Sequence, residues 1–176
     1  AAPTASEQLT ATLDRTVAAI LRESPERCTA LGLTEERAGY RFVDKLSDAS
    51  KASTARYREI LQTAIRELGA IDRSGLSAQE NVTVDVVTTS YQYSLANSAF
   101  NYGGGAGAPY VVTQLTGSYG DLPDFLDAQH PLRNRDEADA YLSRLSAYVR
   151  VLDQETAIIR EDAGAGVIPP DFAIDR

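Results

Sequence analysis

The chain has 176 residues and a formal net charge of −8, with 43% hydrophobic and 24% charged residues, an ordinary globular composition. Its acidity is the wrong sign for a phosphate backbone, which argues against a nucleic-acid partner. One cysteine, Cys28, and one histidine, His130, exclude a disulfide framework and any metal centre built from several such side chains in this chain. The sequence contains no run of 18 apolar residues, so no membrane-spanning helix is predicted.

The first part of the chain predicts helices. Residues 7–23 carry apolar side chains at helical spacing, and Thr4 with Glu7 forms a candidate capping box at their start. Pro25 suits the first position of a short helical turn over residues 26–31. A second amphipathic helix is predicted over residues 51–68, with Gly69 just past its last apolar position.

Residues 78–100 predict a helix with two apolar stripes. Such a helix is expected to be buried on most of its circumference. Three valines that alternate at its start also fit a strand, so a strand is the alternative there. The first stripe, with alternating four-three spacing, comprises Val82, Val86, Thr89, Tyr93, Ala96 and Phe100. The second stripe comprises Val84, Val87, Tyr91 and Leu95.

The remaining elements complete an all-α prediction. A glycine-rich stretch over residues 103–107 precedes residues 111–115, which read as a short strand or an extended segment. A short helix is predicted over residues 121–130 and a long one over 136–162, and Asp171 is a candidate cap for a further helix. The predicted fold is a bundle-like array of helices with a short extended or β segment near residues 110–115. No repeat or linker divides it, so residues 1–176 are predicted to be a single helical region.

Charge is distributed unevenly. Residues 86–120 contain no charged side chain, and no Lys or Arg occurs from residue 74 to residue 132. Exposed segments normally carry charge every few residues. The stretch therefore indicates either a buried helix followed by an uncharged loop, or a surface that docks on another domain or lines a cleft.

Individual chemical candidates are weak. The glycine-rich stretch lacks the Lys-Ser/Thr of a phosphate-binding loop. His130, before Pro131, is interpreted as a packing histidine at a helix end, and Cys28 as a small buried apolar residue. The spacing of Asp121, Asp124 and Asp127 fits a solvated helix face better than a calcium loop. No catalytic residue, metal ligand or cofactor is therefore predicted within this chain.

Three stretches give the sequence a family resemblance: residues 110–119 (YVVTQLTGSY), 122–132 (LPDFLDAQHPL) and 166–172 (GVIPPDF). With shorter agreements at 24–26, 30–33, 141–145 and 152–155, the chain resembles the N-terminal region of the bacterial "domain of unknown function 885" proteins. That resemblance implies a largely helical protein of several hundred residues, often exported or lipid-anchored. It also implies similarity to zinc peptidases of the gluzincin kind, with the metal at a His-Glu-Ala-x-Pro-Gly-His-type motif in the C-terminal half. This chain contains no His-Glu dipeptide, so no family ligand or catalytic Glu is carried over to it.

The resemblance and the small residues at the start, which fit removal of a signal peptide or a trimmed chain, lead to two hypotheses. The first is the N-terminal substrate-cleft portion of a periplasmic or secreted metallopeptidase-like hydrolase, truncated before its zinc motif and inactive alone. Its partners would be its missing C-terminal domain and a peptide substrate, which strand-edge groups of residues 111–115 could bind. The second is a stand-alone helical binding or scaffold module with a Tyr/Gly-rich contact face. The residues assigned to the cleft or domain contact are Tyr102, Tyr110, Gln114 and Tyr119.

Overall fold

The structure, a computed structural model, describes residues 2–105 and 107–174. Ala1, Ala106, Asp175 and Arg176, which fall within the predicted single region, lie outside the described residues. The all-α prediction is confirmed: the described residues contain no strand, and the chain near residues 110–115 is non-helical and passes through bends. The helices, with a 3₁₀ turn at Arg73–Gly75, are α1 (Ala5–Arg22), α2 (Pro25–Ala30), α3 (Glu35–Ala38), α4 (Lys51–Gly69), α5 (Ala78–Asn97), α6 (Ser118–Ala128), α7 (Arg135–Gly164) and α8 (Asp171–Ile174).

Local sequence signals explain where the first helices begin. At the start of α1, the Thr4 hydroxyl accepts a hydrogen bond from the Glu7 N–H, and the Glu7 carboxylate accepts one from the Thr4 N–H at 2.8 Å. The predicted capping box is therefore confirmed. Pro25 occupies the first position of α2, also as predicted.

Three small apolar clusters make up the core instead of one large one. Helix α4 packs against both α1 and α5, and α6 packs against α7. A third cluster lies beneath α2 and α3, where Cys28 is buried as predicted. The buried residues of the cluster around α4 are Leu9, Leu68, Ile71 and Val84. Those of the cluster between α6 and α7 are Leu46, Leu122, Phe125, Leu126 and Val151, and those of the third cluster are Cys28, Ala38 and Phe42.

Helix α5 corrects one sequence-based prediction. It is a helix, but it is not buried on most of its circumference: Val84 is its only buried residue. The second apolar stripe turns towards α4 and α1, whereas Val86 is 62% exposed and Tyr93 74% exposed on the first stripe. Periodicity identified both stripes, but only one of them has a neighbouring helix within the described residues.

Helix α6 begins three residues before its predicted start. Pro123 therefore lies inside the helix and cannot supply the N–H that would bond the Tyr119 carbonyl oxygen one turn earlier. The Tyr148 hydroxyl of α7 donates to that oxygen instead, at 3.1 Å. A contact from another helix thus compensates for the proline.

Among the described helices, none combines the length and apolarity needed to cross a bilayer.

Candidate functional site

Residues 98–117 connect α5 to α6, and α7 anchors both ends of this connection. Near the first end, the buried carboxylate of Asp162 accepts a hydrogen bond from the Gly103 N–H at 2.9 Å. At the second end, the buried carboxylate of Glu155 accepts from the backbone N–H and the hydroxyl of Ser118, the latter at 2.7 Å. The connection is therefore held by two acidic side chains of α7, while its middle faces outward.

Gly103 allows the connection to turn tightly. Its φ of 62° lies in the left-handed region, and a Cβ there would come within 2.4 Å of the Ala108 carbonyl oxygen. The Gly104 N–H donates to that same oxygen at 2.8 Å. Gly103 and Gly104 thus bring the backbone at the start of the glycine-rich stretch against that of Ala108.

Residues 113–116 form a second turn. The Thr113 hydroxyl accepts from the backbone N–H groups of Leu115 and Thr116, both at 3.1 Å, and the Thr113 N–H donates to the Thr116 carbonyl at 2.9 Å. These three N–H groups are therefore already engaged. The expectation that residues 111–115 offer a strand edge to a peptide is wrong for this part, because the threonine side chain closes the backbone into a turn.

Tyr110 and Gln114 face the same neighbouring segment. The Tyr110 hydroxyl donates to the carbonyl oxygen of Ile168 at 3.5 Å, and Gln114 Nε2 donates to that of Ala173 at 3.3 Å. The segment that follows α7 therefore lies alongside residues 110–114. A cavity of about 150 Å³ between them is apolar except for Asp162 and is lined by Tyr110, Val111, Val112, Ile159, Val167 and Pro169.

The other two predicted site residues lie elsewhere on the connection. Tyr102 packs edge-on against Phe100, with ring centroids 6.3 Å apart, and lines a separate cavity of about 640 Å³ together with Lys51, Arg58 and Glu161. Tyr119 lies in α6, and its hydroxyl donates to the Thr113 carbonyl at 3.0 Å. The structure thus brings Tyr110 and Gln114 together, uses Tyr119 to brace the threonine turn, and places Tyr102 in a second opening.

The buried polar face of α7 is what sequence reasoning missed. Arg144 is fully buried and donates only to neutral acceptors: the carbonyls of Lys45 and Phe42, the Thr29 hydroxyl and a His130 ring nitrogen. Burial lowers the pKa of its guanidinium, and the carboxylates of Glu26 and Asp44 oppose this effect.

A signal for this face was present in the spacing. The buried charged residues of α7 recur at intervals of seven and eleven, which keeps them on one side of the helix. The apolar residues that predicted the helix are instead largely exposed, among them Leu142, Leu145, Val149 and Ile159. The buried charged set is Glu137, Arg144, Glu155 and Asp162.

The two side chains best suited to bind zinc are both engaged in packing. His130 is buried, with one ring nitrogen 2.9 Å from the Glu137 carbonyl oxygen and the other 2.8 Å from Arg144 Nη1. The buried Cys28 sulfur lies 3.5 Å from the Tyr40 hydroxyl. Within residues 2–105 and 107–174, no three His, Cys, Asp or Glu side chains gather closely enough to hold a metal ion.

This helical array, with its outward-facing uncharged connection, belongs to a bacterial family. The family model described as "Bacterial protein of unknown function (DUF885)" matches residues 25–176, and the chain is a member of that family. No curated protein matches the sequence.

The fold is shared with a solved structure. The crystal structure of the "putative lipoprotein from Colwellia psychrerythraea" is similar, with a TM-score of 0.86 at 17% sequence identity. The match covers 98% of this chain and 30% of that one, so this chain spans less than a third of its structural neighbour. At this identity the likeness establishes the fold alone.

Proposed function

We propose that this chain forms the helical N-terminal part of a peptide-binding cleft in an exported, metallopeptidase-like hydrolase of the DUF885 family. The zinc would be held by polypeptide outside these 176 residues, and the chain alone would be inactive. The observation that supports the cleft is that the Tyr110 hydroxyl and Gln114 Nε2 both hold main-chain carbonyl oxygens of one neighbouring segment, whose place a substrate peptide would take. Donors aimed at main-chain carbonyls can hold a peptide whatever its side chains.

The uncharged surroundings favour such a role. Residues 86–120 carry no charge, so covering them with a peptide desolvates no ionised group of this stretch. Helix α7 fixes the connection at Gly103 and Ser118, which limits the ordering cost when a ligand binds. In this proposal, Tyr110 and Gln114 position the substrate backbone, and Tyr119 braces the turn at residues 113–116 that carries Gln114. Tyr102 would contact either the substrate or the rest of the protein.

Export is the second element of the proposal. Its support is the description of the structural neighbour as a lipoprotein, together with the family membership. Detection of the protein in the periplasmic fraction or on the cell surface supports this element, and its retention in the cytoplasm rejects it.

The alternative function is a stand-alone helical binding or scaffold module. The observation in its favour is the exposure of two large apolar side chains: Leu115 within the connection is 91% exposed, and Phe172 in α8 is 75% exposed. The gene's reading frame separates the two proposals. A His-Glu-x-x-Pro-Gly-His motif downstream and in frame supports the hydrolase, whereas a stop codon directly after Arg176 supports the module.

Kinetics on the longer protein tests the cleft. Tyr110→Ala and Gln114→Ala should each lower kcat/KM on a peptide substrate by about 3- to 10-fold, the effect of losing one hydrogen bond. Zinc content should stay unchanged. Gln79→Ala is the matched control, because Gln79 is an exposed glutamine at the start of α5, away from the connection. Wild-type kinetics in both cleft variants would reject the assignment of these residues.

A further inference from the structure

The outer face of α5 carries a continuous uncovered stripe. Its members, at alternating four-three spacing, are all exposed, among them Val82 at 52%, Val86 at 62% and Tyr93 at 74%. The opposite face, which includes the buried Val84, packs on α4 and α1. Phe100, the last member of the predicted stripe, lies beyond the end of α5. We call the exposed set on the helix the α5 seam: Val82, Val86, Thr89, Tyr93 and Ala96.

The spacing of the α5 seam indicates the kind of partner that fits it. Apolar residues at alternating intervals of three and four form the narrow stripe by which one helix packs along another. The last charged residue of α5 is Asp85, which is already paired with Arg73 at 2.9 Å. From Val86 onward the helix carries no charge that a covering helix would have to desolvate.

We propose that the α5 seam is the docking surface for a helix of the same polypeptide in longer DUF885 proteins. This inference rests on the part of the proposed function that places the chain within a longer protein, but not on any hydrolase activity. It assigns the contact with the remaining polypeptide to α5, and leaves the connection with Tyr110 and Gln114 to the cleft.

The contact area argues for a partner in the same chain. The seam spans 15 residues of α5, roughly 22 Å at 1.5 Å per residue, and a helix contact about 10 Å wide would bury roughly 440 Å² over both partners. Stable complexes between separate chains bury about 1,200 Å² or more, so a contact of this size is too small to hold two separate chains together. Covalent linkage makes a contact of this size sufficient, because it raises the effective concentration into the millimolar range.

Chain length is consistent with that occupant. The structural neighbour shares this fold, but the matched region is only 30% of its chain, so most of that polypeptide lies outside the match. The partner helix should present apolar side chains at the same spacing.

Cysteine labelling tests the docking directly. Cys28 is buried, so it contributes little background reaction with a maleimide. Val86→Cys and Thr89→Cys place a thiol on the seam at two positions, which guards against a fault specific to one variant. Glu36→Cys, at an exposed charged position on α3, is the control.

In the 176-residue chain, all three thiols should react quickly and the chain should sediment as a monomer. In the longer protein, both seam thiols should react at least about tenfold more slowly, while the control thiol keeps its rate. Equal rates at the seam in both proteins overturn the proposal. A dimer of the short chain with protected seam thiols also overturns the proposal, because a second copy would then be the occupant. A reading frame that ends at residue 176 overturns it as well. A longer protein that is inactive on peptides but protects the seam keeps this inference and rejects only the proposed activity.

Discussion

Arg144 Nη1 lies 2.8 Å from Nδ1 of His130, so a guanidinium and an imidazole are hydrogen-bonded inside the protein. Arginine can only donate, which makes His130 Nδ1 the acceptor and leaves the proton of the neutral ring on Nε2. That nitrogen in turn donates to the Glu137 carbonyl oxygen at 2.9 Å. The two residues therefore fix each other's orientation where α6 ends and α7 begins.

Replacing Arg144 should be strongly destabilising. Arg144→Leu removes the donor to the carbonyls of Lys45 and Phe42, the Thr29 hydroxyl and His130 Nδ1, and it takes from the Lys45 carbonyl and His130 Nδ1 the hydrogen bonds described for them. We expect a loss of about 3–5 kcal/mol in the free energy of unfolding, measured by urea denaturation. Arg160→Leu, at an exposed position on the same helix, should change it by less than about 0.5 kcal/mol. Equal effects of the two variants would show that the buried contacts contribute nothing specific.

The tautomer of His130 can be read directly. Because His130 is the only histidine, the ¹⁵N spectrum of its ring needs no assignment. At neutral pH it should show a protonated Nε2 and an unprotonated Nδ1. His130→Asn keeps an acceptor near Arg144 and should destabilise the protein less than His130→Ala, which we expect to cost about 2–4 kcal/mol. A proton on Nδ1 would contradict the hydrogen bond from Arg144.

Glu155 should stabilise the start of α6. Gly117, the residue before this helix, has no side chain to cap it, and Glu155 accepts from the Ser118 N–H and hydroxyl instead. Glu155→Ala should therefore cost about 2 kcal/mol and speed hydrogen exchange in the first turn of α6. The control is Glu161→Ala, at another position on α7. It removes an exposed ion pair with Lys51 of α4 and should cost less than about 1 kcal/mol. Unchanged exchange at residues 118–121 in the Glu155 variant would contradict this role.

The pH dependence of the free energy of unfolding below about pH 4.5 should depend on Glu80. Hydrogen bonds from the Ser6 hydroxyl, and then from the hydroxyl and N–H of Ser77, lower the pKa of Glu80 from 4.5 to about 2. A carboxyl group whose pKa falls on folding stabilises the protein above its unfolded pKa, and this stability is lost as the pH falls from about 4.5 to about 2. Glu80→Gln should flatten that part of the pH profile of the unfolding free energy. Ser6→Ala should flatten it partly, and an unaltered profile in both variants would refute the assignment.

The helices were largely predictable from sequence, because their signals are local. The capping box at Thr4, the proline at the start of α2 and the apolar spacing of α4 act within a few residues of themselves. The start of α6 was not predictable, because its cap comes from Glu155, 37 residues away. The uncovered side of α5 was not predictable either, since periodicity identifies a stripe but not its neighbour.

The candidate site was only partly predictable. Composition pointed to the uncharged connection, and the structure does bring Tyr110 and Gln114 to one neighbouring segment. Their acceptors are main-chain oxygens, which carry no residue-specific signal. The anchoring by Asp162 was missed because a charged residue in the last turn of a helix ordinarily faces solvent.

The anchors of α7 reach mostly to main-chain groups, such as the carbonyls of Phe42, Lys45 and Leu46 and the N–H groups of Ala49 and Gly103. Every amino acid except proline supplies both kinds of group, so substitutions in the anchored loops leave the partners in place. The arrangement of helices should therefore tolerate changes in the sequence of the anchored loops better than changes in the few polar side chains of α7 that hold them.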